Sequence, residues 1–222
     1  MSKRVLVIAP HPDDETLGAG GTIAKFSSRG DHVFVLVVSG HLPPLYTREQ
    51  YETTVREARA AFDVLGVAAS RFLEIPATMV ANEPHHALND RIGSVVAELK
   101  PDTVLCPFPD RHVDHRTIFD SVMVATRPVG VGAGIELIAA YETLSETHWN
   151  APHIEPNFVP NMVVDISDHV GRKAQALACY VSQIHPSSGA RSVEAALALA
   201  RFRGTQAGFA SGEGFHVIRM RA

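Results

Sequence analysis

The chain of 222 residues reads as an α/β protein built on a parallel sheet, and three observations carry that expectation. Val5 to Ala9 and Val33 to Val38 are unbroken apolar runs rich in β-branched residues, as strands buried on both faces require. A helix-length segment from about Thr16 to Ser28 lies between them and completes a β-α-β unit. Beyond it, strand-length and helix-length segments keep alternating, punctuated by Gly and Pro.

The elements follow in order. Gly30 stands where a glycine closes the first helix, and Gly66 closes the next, whose apolar positions are Val55, Ala58, Ala61, Phe62 and Leu65. Arg71 to Ile75 reads as a short strand ended by Pro76, and Leu88 to Leu99 as a helix ended by Lys100-Pro101. Thr103 to Cys106 is the next strand, stopped by Pro107 and Pro109, because proline disfavours helix in the residue before it and donates no ladder hydrogen bond. His115 to Thr126 is expected to be helical. Glu136 to Tyr141 and Met162 to Asp165 read as strands, joined by a polar connection from Thr143 to Pro160 that is long enough to suggest a substrate-facing excursion. Helices at about Asp168 to Gln183 and Val193 to Arg203 and a strand at Phe215 to Arg219 complete the pattern. With no repeat, low-complexity tract or linker, residues 1–222 are expected to form one domain.

Apolar residues make up 45% of the chain and charged residues 20%, a composition able to fill a sizeable core. The net charge is −4, and no Lys/Arg run marks a phosphate-tracking face, which argues against nucleic acid as a partner. Cys106 and Cys179 are expected to be free thiols in a reducing compartment. The N-terminal apolar stretch is too short for a secretory signal or a membrane span, so a cytoplasmic protein is expected.

Two clusters carry the chemistry. His11-Pro12-Asp13-Asp14-Glu15 follows the first strand directly, and Asp110-Arg111-His112-Val113-Asp114-His115 follows the strand at Thr103 to Cys106. Open α/β sheets bind ligands beyond the carboxyl ends of their strands, so neighbouring strands would bring both clusters face to face. A hydrolytic zinc site needs three ligands drawn from His, Asp or Glu and a position left for water, with a carboxylate nearby to take the proton. The clusters supply enough of each. Helix capping alone would also place Asp13, Asp14 and Asp114 where they are, but two such clusters each following a strand end favour a site.

The run Val7-Ile8-Ala9-Pro10-His11-Pro12-Asp13-Asp14-Glu15, with Leu17-Gly18-Ala19-Gly20-Gly21 after it, resembles the opening motif of the PIG-L/LmbE-like zinc-dependent N-acetylglucosaminyl deacetylases. His112-Val113-Asp114-His115 resembles that family's second metal motif, although many members have proline where Val113 stands. Similarity continues at Arg56-Glu57 and Val64-Leu65-Gly66, and near the end at Arg203-Gly204, Gly208 and Glu213-Gly214-Phe215. The resemblance implies a Rossmann-like sandwich and removal of an N-acetyl group from an amino sugar or its conjugate. It implies His11, Asp14 and His115 as ligands of Zn2+ and Asp13 as the general base. His112 would stabilise the oxyanion or donate a proton, and Asp114 would orient His112. Ser39-Gly40-His41 departs from the more acidic or Thr-containing turn common in the family, which puts substrate contacts there in question.

Other residues divide between readings. Arg56 either binds sugar hydroxyls or pairs with Glu52 on its helix, and His41 either lines the pocket or lies in a surface loop. Gly18, Gly20 and Gly21 come too late after the strand for a dinucleotide fingerprint and are expected to serve close helix packing. His85, His86, His148, His153 and His185 read as loop residues, and Trp149 as a packing anchor. Two other functions fit the motifs: a metal-dependent esterase or amidase on a non-sugar acyl group, and a sugar- or nucleotide-binding protein without catalysis. Another divalent metal can replace zinc in such a site, and a homo-oligomer is left open.

Overall fold

A computed structural model describes residues 2–151, 153–186 and 188–221. The chain runs β1 (Arg4–Ala9), α1 (Asp14–Ser28), β2 (His32–Gly40), α2 (Arg48–Leu65), β3 (Ala69–Pro76), α3 (His85–Leu99), β4 (Thr103–Pro107) and α4 (Val113–Ala125). It continues through β5 (Leu137–Tyr141), α5 (Leu144–Thr147), β6 (Met162–Asp165), α6 (Val170–Leu177), α7 (Val193–Thr205) and β7 (Gly212–Met220).

The strands form a seven-stranded sheet in the order β3-β2-β1-β4-β5-β7-β6. The first five of these pair in parallel, whereas β7 is antiparallel to both β5 and β6. The sheet is thus mostly parallel, as the apolar runs predict. From β1 the chain winds outward to β3, then returns to place β4 on the other side of β1, with Val5 opposite Thr103 and Val7 opposite Leu105. The order therefore reverses between β1 and β4. A crevice opens at such a reversal, where successive connections leave towards opposite faces of the sheet.

Alternate residues of the central strands serve the two layers. Val5, Val7 and Ala9, with Val33, Val35 and Val37, pack with Ile23 of α1, Phe62 of α2 and Ala176 of α6. Leu6, Ile8, Leu36 and Val38 pack with Leu88 and Ile92 of α3 and Ile118 and Val122 of α4. Burial on both faces is the physical reason these strands show no polar alternation.

Several boundaries differ from the sequence expectation. α2 begins at Arg48, well before Val55, because Thr47 accepts from Gln50 N while the Gln50 side chain accepts from Thr47 N, a reciprocal capping box. α6 ends at Leu177 instead of Gln183. There Cys179 N and Tyr180 N bond back three residues, to Ala176 and Leu177, and the tightened turn carries Tyr180 into the core, where it is 0% exposed. The expectation of close packing at the α1 glycines agrees with the structure. A Cβ on Gly18 would stand 2.2 Å from the Tyr141 ring, and one on Gly21 2.6 Å from Ile166. Cys106 and Cys179 are free thiols, and burial pushes the Cys106 thiol up to about 12. Among the described residues, no helix is long and apolar enough to cross a membrane.

Candidate metal centre

Both motifs sit in the crevice where the strand order reverses. His11, Pro12 and Asp13 form the turn between β1 and α1, and Asp110 to His112 lead from β4 into α4. Asp13 has φ 116°, a left-handed conformation unusual for a residue other than glycine, and such backbone strain costs about 1–3 kcal/mol and concentrates at functional sites. Its own N–H is held by Glu15 Oε2 at 3.3 Å. The Asp13 side chain makes no capping hydrogen bond to α1, so helix capping does not account for it.

Asp14 Oδ2 is the point of convergence. His11 Nδ1 lies 3.1 Å from it and His115 Nε2 3.3 Å, and it also accepts from His11 N at 3.0 Å. The far nitrogen of each ring is held by a second carboxylate: His11 Nε2 by Asp114 Oδ2 at 2.9 Å, and His115 Nδ1 by Asp110 Oδ2 at 3.1 Å. Imidazole ligands of metal ions are commonly fixed by a carboxylate on the opposite ring nitrogen in this way. His112 completes an imidazole cluster, since ring nitrogens of His11, His112 and His115 lie within 4.8 Å of one another. Asp14 Oδ1, His115 Nε2 and Asp13 Oδ1 are buried without a hydrogen-bond partner, although buried polar atoms are nearly always satisfied. These orphaned donor atoms, in a set of imidazoles and carboxylates, fit a divalent cation.

Electrostatics agree with that fit. Burial works against a charged His11, but hydrogen bonds to Asp114 and Asp14 outweigh it and raise the ring to about 9. His115 is likewise raised to about 10, with the Asp14 charge overcoming burial. Burial alone would raise Asp14, yet the nearby charge of His115 and the hydrogen bond from His11 hold it well below the usual range. The pocket is built to hold positive charge. Burial lifts Asp13 to about 7, against the opposing pull of Arg191, and lowers His112 to about 4, assisted by the charges of His11 and His115.

A cavity of about 490 Å³, lined by His41, Tyr46, Glu49, Gln50, Thr53, Thr54, Ser182, Gln183 and Arg191, meets the site through Arg191, which contacts Asp13. Its polar wall suits a hydroxyl-rich ligand. His41 lies there with its ring 4.3 Å from that of Tyr46. Arg56 is not brought to the site. It is exposed, donates to Thr53 Oγ1 at 2.9 Å, and lines a separate groove between α2 and β3. Helical phase explains this, because two residues beyond Thr54 the side chain has turned about 200° around the axis. Nor does it pair with Glu52, which lies 3.9 Å from Arg48.

Asp114 also stands elsewhere than the resemblance implies. Its carboxylate meets His11 and the backbone N–H groups of Thr78 at 2.7 Å and Val80 at 3.3 Å, and only its backbone N–H reaches His112, at Nδ1. Three contributors were given no role by sequence reading, although Asp110 stood in the second cluster. Asp110 holds His115, His112 N and Thr147 Oγ1, and its place five residues before His115 was a usable signal. Tyr180 donates to Glu15 at 2.6 Å. Arg191 reaches Asp13 from 178 residues away, and nothing local in the sequence marks either of these last two.

An open α/β sheet with an imidazole and carboxylate donor set at its strand reversal defines an α/β protein with residues able to hold a metal ion. The family model PIG-L, described as GlcNAc-PI de-N-acetylase, matches residues 6–126, and the chain belongs to this family. It is 29% identical to the diacetylchitobiose deacetylase of Thermococcus kodakarensis, over 82% of this chain and 70% of that one. It is 26% identical to the 1D-myo-inositol 2-acetamido-2-deoxy-alpha-D-glucopyranoside deacetylase of Rhodococcus erythropolis, over 82% of each chain. The N,N'-diacetylchitobiose deacetylase structure from Pyrococcus horikoshii superposes with a TM-score of 0.77 at 25% identity, covering 98% of this chain and 84% of that one.

Proposed function

We propose that this chain is a metal-dependent N-deacetylase that hydrolyses the acetamido group of an N-acetylglucosamine-type amino sugar or its conjugate. The carrying observation is the convergence of His11 Nδ1 and His115 Nε2 on Asp14, with Asp13 beside them and a polar cavity adjoining. His11, Asp14 and His115 would hold the ion, with Zn2+ favoured because imidazole and carboxylate donors suit it. When bound, such an ion lowers the pKa of water to near neutrality and polarises the acyl oxygen.

The residues of the chain do the rest. Asp13, lifted to about 7 by burial, takes the proton of the attacking water and delivers it to the departing amine nitrogen. His112 Nδ1 accepts from Asp114 N, so the proton of the neutral ring resides on Nε2, available to the acyl oxygen as negative charge develops there. Asp114 and Asp110 keep the two ligand rings oriented. The hydroxyls and amides of Gln50, Thr53, Thr54, Ser182 and Gln183 are suited to sugar hydroxyls, with His41 at the cavity wall. The reading takes residues 1–222 as one catalytic domain, because β6 and β7 extend the same sheet that carries the metal centre. Free thiols support a reducing compartment such as the cytoplasm.

Acetate release from a panel of N-acetylglucosamine conjugates, N-acetyl amino acids and acyl esters, measured with and without chelator, tests this. Chelator-sensitive release from the amino-sugar conjugates is expected. Hydrolysis confined to esters or non-sugar amides would replace the substrate, and no metal-dependent release from any of them would overturn the reading.

A further inference from the structure

Asp13 is gripped at two points, and one grip comes from a part of the chain with no role in the metal cluster. Its backbone, in the left-handed region, is held through Glu15, which accepts from Thr16 Oγ1 and Tyr180 OH. Its side chain meets Arg191, whose Nη1 lies 3.4 Å from Asp13 Oδ2. Arg191 is itself braced, with Nε donating to Ser145 Oγ at 2.8 Å and Nη2 lying 3.7 Å from Glu146 Oε1. Arg111 holds the other oxygen of Glu146 at 2.9 Å. The Arg191 side chain is only 20% exposed, and it forms part of the wall of the substrate cavity.

We propose that Arg191 is a positioning residue for the general base: it fixes Asp13 Oδ2, leaving the unpartnered Oδ1 as the oxygen that accepts the water proton. A carboxylate at the end of two rotatable bonds would otherwise swing between rotamers, and a planar guanidinium anchored by Ser145 and Glu146 restricts that swing better than a flexible ammonium. Because Arg191 also faces the cavity, a bound substrate packs against the group that aligns the base. Arg191 and Tyr180 lie beyond the family-matched segment, residues 6–126, so the C-terminal part of the chain completes a base supplied by the turn after its first strand. This inference rests on the reading of Asp13 as base.

The test compares wild type, Arg191→Ala and Arg191→Lys for metal content, steady-state acetate release and crystal structure of the metal-loaded protein. Misplacing a catalytic group by about 1 Å costs about 100-fold in rate. Arg191→Ala is therefore expected to lower kcat by about 10–100-fold at unchanged metal content, with Arg191→Lys intermediate and millimolar guanidinium restoring part of the loss in Arg191→Ala. Its crystal structure is expected to show the Asp13 carboxylate rotated or spread over rotamers. Wild-type kcat in Arg191→Ala, a loss confined to KM, or an unmoved Asp13 carboxylate would overturn the proposal. Should the wild type release no acetate from any substrate, the deacetylase reading fails, and the position of the Asp13 carboxylate in the two crystal structures still decides the role of Arg191.

Discussion

Asp13 and Asp14 are chain neighbours with opposite surroundings, and that contrast organises the site. Asp14 faces the ring nitrogens of two imidazoles, whereas the Asp13 carboxylate faces the guanidinium of Arg191. The positive φ of Asp13 is what turns consecutive side chains to different tasks. Asp13→Ala is expected to retain metal while kcat falls by at least about 100-fold, as loss of a general base does, measured by elemental analysis alongside turnover. Wild-type turnover in that variant would exclude Asp13 as the base. The two carboxylates could be distinguished in the sequence only through family resemblance, since adjacent acidic residues before a helix have the same local appearance.

At the scale of elements, polar pairs join the layers around α1 and β5. Lys173 of α6 and Glu213 of β7 form an ion pair at 2.6 Å with side chains 4% and 3% exposed. Lys173 Nζ also donates to Leu17 O, and Glu213 accepts from Gly21 N and Thr22 N of α1. Lys173→Met leaves the Glu213 charge buried without its partner, and breaking such a pair costs about 3–5 kcal/mol. Urea unfolding should read that loss, and a variant within about 0.5 kcal/mol of wild type would show that the backbone donors alone satisfy Glu213.

Glu142, just after β5, supplies a pH signature. Burial alone would raise its carboxyl, but hydrogen bonds from His148 and Arg203 outweigh burial and hold it below its ordinary 4.5. A carboxylate depressed by folding adds stability that is fully present above its unfolded value and disappears as pH falls through the folded one. Glu142→Gln should therefore be less stable than wild type near neutrality, with the gap closing as pH drops below about 4.5. Denaturation midpoints across that range check it, and a pH-independent gap would place the contribution elsewhere. Much of this scale was legible in the sequence: Gly30, Gly66 and the prolines placed the element ends. No start was assigned to α2, although Thr47 and Gln50 carried the capping-box signal, and α6 was drawn too long because its apolar pattern continues through residues that leave the helix.

For the molecule as a whole, the candidate metal site is a junction between segments distant in sequence. A ligand bound only by the folded state stabilises it by about 2.7 kcal/mol at a concentration one hundred times its Kd. Addition of Zn2+ to chelator-treated protein should raise Tm, and His115→Ala should abolish both the rise and the stoichiometric metal. A Tm unmoved by metal in the wild type would argue against a cation joining the β1 and β4 loops.

The sequence by itself determined the α/β class, the parallel character of the central strands and the pool of site residues, because burial on both faces and short motifs after strands leave local traces. Only the tertiary structure decided that Asp114 meets His11 instead of His112, that Arg56 faces a different groove, and that Tyr180 closes on Glu15 and Arg191 on Asp13. Those outcomes depend on helical phase and on contacts between residues as much as 178 positions apart. Neither is written in any short window of sequence, since such contacts arise only when the layers pack on one sheet.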